Sequence, residues 1–228
     1  LFGNNPSVTR PSGGGKGFQI DAALTRHRPK KIIVIDPAFT DTCTARADQW
    51  IPIRPGTDAA LISALAYEFI TNGWIDQAFL DRYCVGFDEK TLPKSAPAKS
   101  DYKSYILGAG PDGTAKTPEW AAPITGIPVD VIRSLAREMA MTKPLFVSQG
   151  WGPQRQANGE ATCRAIAMVP ILLGQVGLPG TNTGAHEGNT SFPAGYLPIG
   201  KNPVQAKIPV YMWTDAILRG PEMTRRNS

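Results

Sequence analysis

Three short turns carry the residues best suited to chemistry: Gly3-Asn4-Asn5-Pro6, Asp36-Pro37-Ala38-Phe39-Thr40 and Arg54-Pro55-Gly56-Thr57-Asp58. Each follows a run that reads as a strand or the stub of one. Each offers backbone N–H groups or short polar side chains. In an open α/β sheet, ligands bind beyond the carboxyl ends of the strands, so these turns are the expected site. An acid at the end of a second strand can hold ribose hydroxyls, a role that fits Asp36. A carboxylate also matches the paired N1–H and amino donors of guanine, a role that fits Asp58. A helix starting near Asp58, or after Thr9, would add partial positive charge suited to phosphate. Structural readings stand beside these: Asp-Pro after a strand also makes a plain turn, and an acid at a helix start also serves as a cap.

Other chemistries find no support. There is no GxGxxG and no GxxxxGK[ST], so neither an ordinary NAD site nor a P-loop is indicated. Cys43, Cys84 and Cys163 are far apart and odd in number, and His27 and His186 stand alone. That pattern offers no disulfide framework, no zinc site and no Ser-His-acid set. Gly13-Gly14-Gly15 reads as a flexible turn. Lys plus Arg exceed Asp plus Glu by only 24 to 19, without a basic stripe interleaved with aromatics, so nucleic acid is not an expected partner. No stretch is long and apolar enough to span a membrane, and no targeting signal is seen; the chain is expected to be soluble.

The elements that must position the turns follow from periodicity. Ile32–Ile35 in "KKIIVIDP" (30–37) is a run of β-branched residues, as in a strand buried on both faces. "QWIPIR" (49–54) is a weaker strand, limited by Pro52. "PLFVSQGWG" (144–152) repeats the first pattern, and Leu1-Phe2 reads as the stub of another strand. Helices are expected over 58–72, with Leu61, Ile62, Leu65, Phe69 and Ile70 on one face and Thr57 or Asp58 as cap. Others are expected over 75–84 (Ile75, Phe79 and Tyr83 inward), over 129–140 behind Pro128, and over 159–174. Pro170 predicts a break near Val169. The polar stretch 88–120 reads as a surface insertion, and 175–228 as irregular. Strands alternating with helices imply an α/β fold with a parallel sheet and flanking helices. The expected division is an α/β domain over 1–174 and an irregular segment over 175–228.

Taken together and in order, "GNNPSVTR", "IIVIDPAFTDT", "ADQWIPIRPGTDAALISALAY" and "SQGWGPQRQANGEATCRAI" resemble the catalytic (A) subunits of the molybdopterin oxidoreductase family, in its anaerobic dimethyl sulfoxide reductase branch. "FLDRYCVGFDEKTLP" and "MWTDAILRGPEM" extend the resemblance over nearly the whole chain. The resemblance implies a Rossmann-like domain gripping one guanine dinucleotide of a bis(molybdopterin guanine dinucleotide) molybdenum cofactor. Matched by position, Gly3, Asn4, Asn5 and Thr9 would line the phosphate and nucleoside. Asp36, Pro37 and Thr40 would sit at the second strand end. Pro55, Gly56, Thr57 and Asp58 would hold the guanine. Gly150, Trp151, Gly152, Gln154 and Arg155 would approach the pterin. No catalytic or metal-ligating residue is implied within this chain.

The resemblance further implies an internal segment of a longer subunit that reduces S- or N-oxides by oxygen-atom transfer; dimethyl sulfoxide, trimethylamine N-oxide and selenate are all handled by relatives. That subunit would carry an iron–sulfur cluster and a molybdenum-ligating serine upstream. It would pair with an iron–sulfur electron-transfer subunit and a membrane anchor at the bacterial periplasmic face. The segment alone is expected to be inactive. A non-catalytic guanine nucleotide or pterin-binding module, or an inactive fragment, is the alternative. Two departures stand out: Ala38 replaces the arginine that usually follows Asp-Pro, and His186 stands where arginine is usual. Losing a charged donor at position 38 weakens binding by roughly 1.5–3 kcal/mol.

Overall fold

The β-branched run pairs with its neighbour as its composition demands. In the computed structural model, which describes residues 1–9, 22–23, 25–182, 200–201, 203–204, 207–208 and 210–224, β1 (Ile33–Ile35) lies parallel to β2 (Gln49–Ile51). The register is Ile33 to Gln49, Val34 to Trp50 and Ile35 to Ile51. Pro52, lacking an N–H, follows the end of β2 directly.

Two further backbone tracks join this pair through single bridges. Phe2 pairs in parallel with Ile35 on one side and with Gln149 on the other. Its N–H donates to Ser148 O (2.8 Å), and its carbonyl accepts from Gly150 N (2.9 Å). On the β1 side, Ile35 N donates to Leu1 O (2.8 Å) and Gly3 N to Ile35 O (2.9 Å). The spatial order is therefore residues 148–150, residues 1–3, β1, β2. Leu1-Phe2 occupies the strand position its sequence suggests. The 144–152 run does not form the expected strand. It contributes one bridge, because Gly150 begins a turn as soon as the track passes Phe2.

The helices supply the core. α1 (Pro6–Thr9) is a single turn starting at Pro6; the helix start expected after Thr9 lies outside the described residues. α2 (Asp41–Arg46) is capped by Thr40. α3 (Asp58–Thr71) buries Leu61, Ile62, Ser63, Ala64, Leu65, Ala66 and Phe69, so it is enclosed on nearly all sides and not on one stripe. Each large apolar side chain buried there stabilises the fold by about 1.5–3 kcal/mol. α3 packs against α6 (Pro118–Thr125), α7 (Val129–Met141) and α8 (Gly159–Leu172).

Several expectations are corrected. α4 (Gln77–Tyr83) turns Leu80 inward and leaves Tyr83 exposed, while Ile75 before it packs on the core as expected and Phe79 is half-buried. Pro128 is the cap residue of α7, one position before the helix. α8 continues through Pro170 to Leu172; the proline lies within the last turn, where little helix remains to be broken. The 88–120 stretch is no loose surface loop. It holds α5 (Tyr102–Leu107), whose Ile106 is fully buried, and opens α6. Lys116 is buried there, pairing with Asp112 with its ammonium 4.6 Å from the centre of the Tyr105 ring.

The chain divides into two compact units, Leu1–Thr190 and Ser191–Ser228. The second contains α9 (Trp213–Arg219) between two 3-10 turns. None of its helical residues is buried, and Arg219 pairs with Asp215 (2.5 Å). No helix among the described residues is long and apolar enough to cross a membrane.

Candidate nucleotide-binding site

All four tracks run parallel, so their carboxyl ends open onto one edge of the sheet, and the predicted turns meet there. Gly3 takes a left-handed φ of +48°, which turns the chain immediately after Phe2. A Cβ on Gly3 would lie 2.5 Å from Pro153 Cδ. A Cβ on Gly150 would collide with the Gly3 carbonyl oxygen, and one on Gly152 would lie 3.2 Å from it. Glycine at these positions lets two backbones touch.

The asparagines that follow are structural as well as polar. Asn4 is 5% exposed and donates through Nδ2 to Ser148 Oγ at 2.7 Å. This bond stitches the first track to the fourth. Asn5 Oδ1 accepts from Thr42 Oγ1 at 2.6 Å and from Thr42 N at 3.3 Å, fastening the turn to α2. Ser148 and Thr42 were not picked out from the sequence. Their partners lie 144 and 37 residues away, and no local spacing reports such pairs.

Asp36 follows β1, as predicted. Its Oδ1 accepts from Ala38 N (2.9 Å), closing a local turn over Pro37, and its carbonyl accepts from Trp50 Nε1 (2.9 Å). The turn reading is therefore correct for one carboxylate oxygen. Thr40 is engaged as the cap of α2, with Oγ1 accepting from Cys43 N at 3.4 Å.

The third turn brings Asp58 in. Gly56 has φ +78°, and a Cβ there would lie 3.0 Å from Gln156 Oε1, so this turn abuts the 150–156 loop. Thr57 takes the N-cap position of α3, as expected, but its hydroxyl makes no cap bond and donates to Arg54 O at 2.7 Å. Pro55 is exposed beside it. Asp58 is the first helical residue and is 6% exposed. Burial pushes this carboxyl above its usual range, and the nearby Asp36 charge adds to the effect. The start of α3 is thus already filled by an acid with a second acid close by. It is a poor place for phosphate, contrary to expectation, and a good place for a neutral donor pair.

The opposite bank is receptive to anions. Trp151 is 59% exposed, with the Arg155 guanidinium 4.7 Å from its ring centre. Among the described residues, the N–H groups of Trp151 and Gly152 donate to no group of the chain. Gln154 is exposed alongside. Gln149 Oε1, on the bridging residue itself, is buried without a partner, although its Nε2 donates to Cys163 O at 3.3 Å. Thr9 closes α1, while Gly13–Gly15 and His186 lie outside the described residues. Among the described residues no group of three or more His, Cys, Asp or Glu side chains is placed to hold a metal.

Comparison with known proteins gives this geometry a setting. Residues 1–218 match the family model for molybdopterin oxidoreductases. Dimethyl sulfoxide reductase DmsA of Escherichia coli K12 is 60% identical over 224 residues, covering 98% of this chain and 27% of that protein. DmsA of Haemophilus influenzae is 61% identical over the same length, covering 28% of that protein. Trimethylamine-N-oxide reductase of H. influenzae is 36% identical over 166 residues, covering 72% of this chain and 18% of that protein. Among solved structures, acetylene hydratase from Pelobacter acetylenicus superposes with a TM-score of 0.57 at 25% identity, over 77% of this chain and 21% of that one. The chain spans about a quarter of the length of the reductases it matches. It belongs to the molybdopterin oxidoreductase family.

Proposed function

We propose that this member of the molybdopterin oxidoreductase family is the part of a molybdenum-dependent S- or N-oxide reductase that grips one guanine dinucleotide of a bis(molybdopterin guanine dinucleotide) cofactor. The observation that carries the reading is the meeting of the strand-end turns at one edge. There a buried carboxylate (Asp58), without a cationic partner among the described residues, closes a turn that abuts, through Gly56 and Gln156, a loop bearing free N–H groups and an arginine. A guanine dinucleotide has the same polarity, with a donor pair at the base and negative charge along the pyrophosphate. The order of the tracks also supports a Rossmann-like half. Numbered along the chain it is 3-2-1-4, and the order reverses between Phe2 and Gln149, where such folds bind dinucleotides.

Each residue then has a defined task. Asp58 accepts from the guanine N1–H and amino group. Asp36, with one oxygen committed to Ala38 N, offers the other to ribose hydroxyls. Trp151 and Gly152 N–H groups and Arg155 receive phosphate or the pterin side. Gly3, Gly150 and Gly152 let the two banks approach closely, and Asn4 and Asn5 hold the first turn in place. When bound, the cofactor supplies the two-electron oxygen-atom transfer, while this chain supplies binding and orientation. The relative named as a hydratase shares the fold, which supports a cofactor-holding role common to different reactions.

The remaining parts of the reading concern the longer protein. They are an iron–sulfur cluster, an iron–sulfur electron-transfer subunit, a membrane anchor and a periplasmic location. In this reading the 228 residues alone form a binding module without turnover. The test is thermal unfolding with added nucleotides, since a ligand bound only by the native state raises the melting temperature. Guanosine nucleotides should raise it and adenosine nucleotides should not. Equal shifts, or none, would overturn the assignment. Oxide-dependent turnover by the chain alone would overturn the assignment of a purely binding role.

A further inference from the structure

We propose that Phe39 forms a stacking wall for the base of the bound guanine nucleotide, making it an affinity-determining residue at the end of β1. The inference rests on the nucleotide-binding reading above. Phe39 is 61% exposed, although it is one of the larger apolar side chains of the chain. Scattered exposed apolar residues are ordinary on protein surfaces; what distinguishes this one is where it stands and how firmly it is held.

The loop that presents Phe39 is pinned on both sides. Ala38 N–H is bound to the Asp36 carboxylate at 2.9 Å, and Thr40 caps α2 through Cys43 N at 3.4 Å. The ring meets Trp50 edge-to-face, with centroids 5.2 Å apart and planes at 78°. Trp50 is itself fixed by its indole N–H on the Asp36 carbonyl at 2.9 Å. An edge-to-face contact covers at most one face of Phe39 and leaves the other open. A rigid aromatic face therefore stands three residues beyond Asp36, on the loop that leaves the carboxyl end of β1, the same sheet edge from which the Arg54–Asp58 turn leaves β2. Hydrogen bonds from Asp58 fix a base within its own plane, and a stacked ring fixes it perpendicular to that plane. Asp58 cannot supply that second restraint, and base–aromatic stacking is a common way to supply it.

The test is calorimetric titration of the 228-residue chain with guanosine diphosphate, alongside Phe39→Ala, Phe39→Leu and Phe39→Tyr. Leu keeps apolar bulk and removes the π face; Tyr keeps the face. The expected result is a Kd about tenfold higher for Ala and Leu and within about twofold of the unaltered chain for Tyr. Reduced guanine absorbance on binding, the signature of stacking, should appear with Phe and Tyr and vanish with Leu. Binding by the Leu variant with unchanged Kd and undiminished absorbance change overturns the stacking role and leaves the nucleotide site standing. Failure of the unaltered chain to bind guanosine diphosphate overturns both.

Discussion

The two ends of the same small sheet treat their acids in opposite ways. At the amino-terminal end, Asp48 is fully engaged: Oδ2 accepts from Ile32 N at 2.8 Å and Oδ1 from Arg28 at 3.0 Å. The Ile32 N–H and then the guanidinium hold its carboxyl below the usual range. Lys31 and Glu138 pair nearby at 2.8 Å. At the carboxyl-terminal end, Asp36 and Asp58 sit close together, and neither has a cationic partner among the described residues. Asp58 is buried and its carboxyl is pushed up. One end uses its acid for cohesion. The other holds its acids at a cost to the free protein, which is the arrangement expected where a ligand supplies the missing donors.

The largest effect should come from the contact that joins the two banks. Gly150→Ala places a methyl group against the Gly3 carbonyl, and neither backbone can yield without breaking the Phe2 bridges. A loss of about 3 kcal/mol in urea unfolding is expected. A loss within error would mean that the banks are not held together as described.

Asp58→Asn is next, and it should separate stability from binding. Folding raises this carboxyl's pKa, so folding favours its protonated form. Its contribution to stability is fully present below the unfolded pKa and is lost as pH rises through the folded value. The neutral amide should therefore raise the melting temperature of the free chain at pH 7 and leave it nearly unchanged at pH 3. The same change replaces two acceptor oxygens with one acceptor and one donor. Guanosine nucleotide affinity should fall at least about tenfold, as expected for losing a hydrogen bond to a charged group. A variant that loses stability at pH 7 and still binds would dissolve the contrast between the two ends.

The smallest effect should come from Asp48→Asn. Here folding lowers the carboxyl pKa, so its stabilising contribution is present above the unfolded value and lost as pH falls through the folded one. A slight drop in melting temperature at pH 7, disappearing toward pH 2, is expected, with nucleotide binding unchanged. Weaker nucleotide binding in this variant would show that the two ends are not independent.

The strongest local patterns were legible in the sequence. The β-branched run gave β1, Pro52 limited β2, and α3 and α7 followed their periodicity with ends within one residue of prediction. Asp36 and Asp58 were placed correctly because strand ends and helix starts are local events. What escaped was non-local. Whether 144–150 forms a strand depends on how far Phe2 runs beside it, and Leu80 is chosen over Tyr83 by the neighbours it meets. The α5–α6 region reads as polar, yet it buries Lys116, whose ammonium pairs with the exposed Asp112 and lies over two aromatic rings. The role of Asn4 depends on Ser148, which no spacing rule connects to it.

The seam between Phe2 and Gln149 has a consequence for the order of assembly. Its two sides are separated by well over a hundred residues, so closing it requires a long loop to surrender its freedom before any contact compensates. Pairs of that separation make folding slow and arrive late. During synthesis β1 and β2 are made before residues 148–150 and can meet first, while residues 1–3 wait for their second neighbour. The crevice thus forms later than the β1–β2 pair, and a dinucleotide has no complete seat until all of α1–α7 and the loop after them have been made.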